Sequence, residues 1–73
     1  MLTVGTKVKI LGDSSGYLSG TIGTIGTVVE VDNRNTAVIN WYFIELPYYI
    51  MGDNKWLYLE SELEVITNET KDN

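Results

Sequence analysis

Seventy-three residues carrying ten acidic and five basic side chains, for a formal net charge of −5, make one small acidic domain. With no cysteine and no histidine, the chain has no disulfide, no thiolate ligand and no imidazole base. That excludes the usual zinc sites and histidine-assisted nucleophiles and leaves no expected metal or cofactor. Its cations, Lys7, Lys9, Arg34, Lys55 and Lys71, are scattered along the chain, which disfavours a grip on a phosphate backbone or an anionic membrane.

Met1 to Lys7 lacks the apolar core of a signal peptide, and no apolar run is long enough to span a membrane, so a cytoplasmic protein is expected. From Lys7 to Leu11 the chain alternates polar and apolar residues, the period of a half-buried strand with Val8 and Ile10 inward. Gly12 to Gly16 breaks that strand, and Tyr17 to Ile22 reads as a long loop. Gly20, Gly23 and Gly26 imitate a phosphate loop in spacing only. No Lys-Ser/Thr pair and no helix follow, because Val28-Val29-Glu30-Val31 is a β-branched strand. These glycines are expected to serve a tight bend.

Asp32-Asn33-Arg34-Asn35 forms a polar hairpin turn, and the return strand Thr36–Phe43 puts Ala37, Ile39, Trp41 and Phe43 on one face. Ile39, Trp41 and Phe43, with Val29 and Leu57, are the expected core. Between Ile44 and Lys55, Pro47 argues against a central strand, and Gly52-Asp53-Asn54 signals a turn. Trp56 to Glu60 is a short strand, Ser61-Glu62-Leu63 a single helical turn capped by Ser61, and Glu64-Val65-Ile66 a closing strand. Thr67 to Asn73 is a polar tail expected to fray, leaving residues 1–66 as the domain.

Taken together, Gly5-x-Lys7-Val8-Lys9-Ile10, the entry Gly23-x-x-Gly26-Thr27-Val28-Val29, Val38-x-x-Trp41, Trp56-x-Tyr58 and the closing Ser61 to Ile66 resemble the SH3-like barrels of the KOW and mind-bomb-repeat type. The resemblance covers roughly residues 4–66. It implies an all-β fold: a single five-stranded SH3-like barrel with a short 3₁₀ turn before the last strand. In style the chain is also similar to small phage and prophage proteins.

Chemistry is sparse. Glu60, Glu62 and Glu64 alternate and read as one solvated strand edge rather than a carboxylate pair, and Ser14 and Ser15 have no base beside them. No enzyme is expected. Eight aromatic residues and two methionines exceed what a small core encloses. The surplus, Leu46, Tyr48, Tyr49, Ile50 and Met51, with Tyr17 and Tyr42, is the candidate partner-binding set, because such side chains are enriched at interface centres. The expected function is a protein-interaction module of a phage or mobile element that binds and modulates a host protein, with a second copy as the other partner. Binding of single-stranded nucleic acid by aromatic stacking is the alternative.

Overall fold

In the computed structural model, residues 2–32 and 41–66 are described; the expected turn at 33–35, the core position Ile39 and the tail 67–73 lie outside them. The described residues form five strands: β1 (Lys7–Ile10), β2 (Ile25–Asp32), β3 (Trp41–Ile50), β4 (Asp53–Leu59) and β5 (Leu63–Val65). Short 3₁₀ turns, Ser19–Thr21 and Glu60–Glu62, precede β2 and β5. All pairings are antiparallel, in one open sheet of order β4-β3-β2-β1-β5. The fold is therefore all-β, as expected.

One face of the curled sheet holds the core: Val8 and Ile10 of β1, Val28 of β2, Tyr42, Ile44 and Leu46 of β3, Tyr58 of β4 and Leu63 of β5, closed over by Leu2 and Leu18. This inverts the expected facing of β3. Trp41 and Phe43 are half-buried on the opposite face, and so are Val29 and Leu57. The reason lies two residues further along the alternation. Trp41 and Phe43 share their face with Glu45, which lies opposite Lys55, whereas Tyr42, Ile44 and Leu46 carry no charge. A face bearing a charged pair belongs to water.

The two central tyrosines are buried with their hydroxyls satisfied. Tyr42 accepts from the Leu2 N–H (3.2 Å) and donates to Glu60 (3.0 Å). Thr21 spends its single hydroxyl proton on the Leu18 carbonyl (2.6 Å), so Tyr58 donates to Thr21 Oγ1 at 2.9 Å. Large aromatic area thus enters the core without an unpaired polar atom.

Two glycines of the 20–26 run show why that run is there. Gly23 has φ +95°, the left-handed conformation that ends the loop. Gly26 is buried in β2, where a Cβ would lie 2.5 Å from Ile44 Cγ2 and 2.7 Å from the Glu45 carbonyl oxygen. The spacing thus serves a bend and a close strand approach.

The closing turn spans Glu60–Glu62, and no side chain of Ser61 caps it. Glu62 does that work. Buried rather than on a solvated edge, its carboxylate accepts the Leu59 N–H (2.9 Å) and the Ser14 N–H (2.5 Å), while its carbonyl accepts the Leu11 N–H (2.7 Å). One residue ties the β1–β2 loop to the end of β4.

Candidate functional site

The stretch read as a loop around Pro47 is mostly strand. Glu45 pairs with Lys55 and Ile50 with Asp53, so Leu46 to Tyr49 on β3 face Asn54 alone on β4. Such a bulge leaves backbone groups without ladder partners, which is where a proline, lacking an N–H, is tolerated. The Asn54 side-chain amide fills part of the gap by donating to the Leu46 carbonyl (3.3 Å). Met51 and Gly52 then close the hairpin with φ of 51° and 83°. Two successive left-handed residues give the turn twist that matches the strands, a position Asn-Gly favours.

The bulge and turn separate the candidate binding residues. Leu46 and Tyr42 are core and offer no contact surface, whereas Ile50 packs against the core and is half-buried. Tyr48, Tyr49, Met51 and Tyr17 are exposed. Tyr48 is held through its hydroxyl to Thr24 Oγ1 (2.8 Å). Tyr49 lines a hollow of about 420 Å³ with Pro47, Lys7, Thr27 and Glu45, where Lys7 Nζ donates to Thr27 Oγ1 at 2.9 Å. That surface is largely polar.

Tyr17 and Met51 meet elsewhere. They belong to a groove of about 650 Å³ that follows β4, the edge strand, with Trp41, Phe43, Trp56 and Leu57. Leu57 lies opposite Phe43. Leu18 and Ser15 complete one wall, and Asp53 and Lys55 are the charged groups of the lining.

The Tyr17 wall is built by Asp13, whose carboxylate accepts the Leu18 N–H (2.6 Å), the Ser15 N–H (3.3 Å) and the Ser15 hydroxyl (2.8 Å). This side-chain turn sends Leu18 inward and leaves Tyr17 83% exposed. Trp56 is fixed by its indole N–H, which donates to the Asp53 carbonyl (3.1 Å).

The groove therefore joins two residues singled out from sequence to three assigned to the core: Trp41, Phe43 and Leu57. Glu45, two residues after Phe43, is a hint in the sequence, but its register opposite Lys55, which turns this face outward, comes only from the folded sheet. Among the described residues, no group of three or more acidic, cysteine or histidine side chains is placed to hold a metal ion, and no helix is long and apolar enough to cross a membrane. What the groove offers is apolar and aromatic area with sparse charge. No protein family, no curated protein and no solved structure matches the chain.

Proposed function

We propose that this chain is a protein-interaction module that receives an apolar segment of a partner in the groove along β4. The observation that carries this reading is Met51. A methionine in the left-handed region costs about 1 kcal/mol relative to a residue suited to it, yet this one is 70% exposed beside Trp56 and Tyr17. Strain kept at an exposed apolar position is a mark of a binding surface. Binding rather than catalysis fits a groove whose charged groups are one aspartate and one lysine. The same balance disfavours a nucleic-acid strand, which needs clustered cations beside the aromatic faces.

The finer fold assignment belongs to this reading. A five-stranded SH3-like barrel of the KOW or mind-bomb-repeat type is supported by the strand order with β5 on β1 and by the 3₁₀ turn before β5.

Affinity capture from cell lysate tests the proposal. A protein retained by the unmodified chain and by Tyr49→Ser is expected to be lost by the double variant Tyr17→Ser/Met51→Ser. Equal retention by all three would remove the groove from the binding surface.

A further inference from the structure

The direction of the backbone groups in β4 follows from bonds at the other side of the sheet. Val28 donates its N–H to the Thr6 carbonyl (2.9 Å) and accepts from the Gly5 N–H (2.7 Å), both toward β1. Its partner across the next ladder is Ile44, which therefore makes no bond to β2 and turns its N–H and C=O toward β4. Ile44 pairs with Trp56 and Tyr42 with Tyr58, so Trp56 and Tyr58 bond to β3. Lys55, Leu57 and Leu59 then face the open edge.

Two of those edge N–H groups are occupied: Lys55 donates to Asp53 Oδ1 (3.1 Å) and Leu59 to Glu62 Oε1 (2.9 Å). Leu57, between them, bonds to neither carboxylate. Among the described residues, this edge is capped at both ends and open at its centre, and it lies along the apolar groove. Side chains of a strand laid there would alternate between the Phe43 and Leu57 face and the Trp56 and Tyr17 face.

Resting on the groove as a protein-binding site, we infer that the partner enters as an extended segment that adds a strand to β4 at Leu57, with apolar residues alternating with lysine or arginine. Charge selects that occupant. The chain carries a net charge of −5, which attracts a basic segment and repels a second copy. Antiparallel pairing of two β4 strands about Leu57 would also bring Asp53 of each copy against the acidic Glu60–Glu62 turn of the other.

The probe is a short synthetic peptide alternating lysine and valine, titrated into the full chain while amide hydrogen exchange is followed. Binding is expected to slow exchange of the Leu57 N–H, and methylating the peptide's backbone nitrogens is expected to weaken binding about fivefold to tenfold per bond removed. Replacing its lysines with glutamates should weaken it further. Equal affinity for the methylated peptide, unchanged Leu57 exchange, or no binding by any peptide would overturn strand addition. Leu57 protection that rises with chain concentration alone would overturn it in favour of a second copy. None of these outcomes touches the groove itself, which fails only if the lysate capture survives Tyr17→Ser/Met51→Ser.

Discussion

Glu62 joins the loop after β1 to the end of β4 through two charge-assisted hydrogen bonds, from the Ser14 and Leu59 N–H groups. Glutamine in its place keeps the shape but has one acceptor oxygen, and its amide nitrogen would meet an N–H donor. Glu62→Gln is therefore expected to cost about 1–3 kcal/mol, the penalty for a buried donor left without a partner. Urea denaturation measures it; an unchanged midpoint would mean the carboxylate is dispensable. The alternation of Glu60, Glu62 and Glu64 could not disclose this role. Period-two reasoning assumes a strand, and the chain passes through a 3₁₀ turn at Glu60–Glu62 before β5 begins.

Among the elements, the β3–β4 hairpin holds the sharpest conflict between local preference and what is present. Its Met51-Gly52 turn would be better served by Asn-Gly, so Met51→Asn is expected to stabilise the domain by about 1 kcal/mol. Thermal melting checks this. A variant that melts at or below the parent would show that Met51 contributes packing that outweighs its strain. A turn at Gly52 was legible in sequence, although Asp53 and Asn54 of the expected turn belong to β4; the strand that runs through Pro47 was not legible. A proline rules out a regular central ladder, but the bulge opposite Asn54 supplies the irregular place it needs.

For the molecule as a whole, the core is organised around Tyr42 and Tyr58, both fully buried. Burial pushes the Tyr58 phenol above its ordinary value of 10.0, and the nearby Asp13 carboxylate adds to the effect. With the folded-state value raised, the unfolded chain releases this proton first. The Tyr58 contribution is therefore complete below pH 10 and is lost as the pH rises above it. Denaturant midpoints measured up the alkaline limb should fall less steeply for Tyr58→Phe than for the parent chain. Parallel curves would separate Tyr58 from the alkaline loss.

The sequence by itself determined that the chain is all-β, where β1 lies, which way Val8 and Ile10 point, that a turn falls near Gly52, and that a short helical turn precedes β5. Each depends on residues close in the chain, through side-chain alternation or the backbone freedom of glycine. Only the tertiary structure decided which face of β3 is inside, because Trp41-Tyr42-Phe43-Ile44 is bulky on both faces and the pairing of Glu45 with Lys55 settles the matter across strands. With that facing, Trp41, Phe43 and Leu57 leave the core and line the groove, while Leu46 and Tyr42 go the other way. Facing is a property of the sheet, and a run of large apolar residues does not carry it alone.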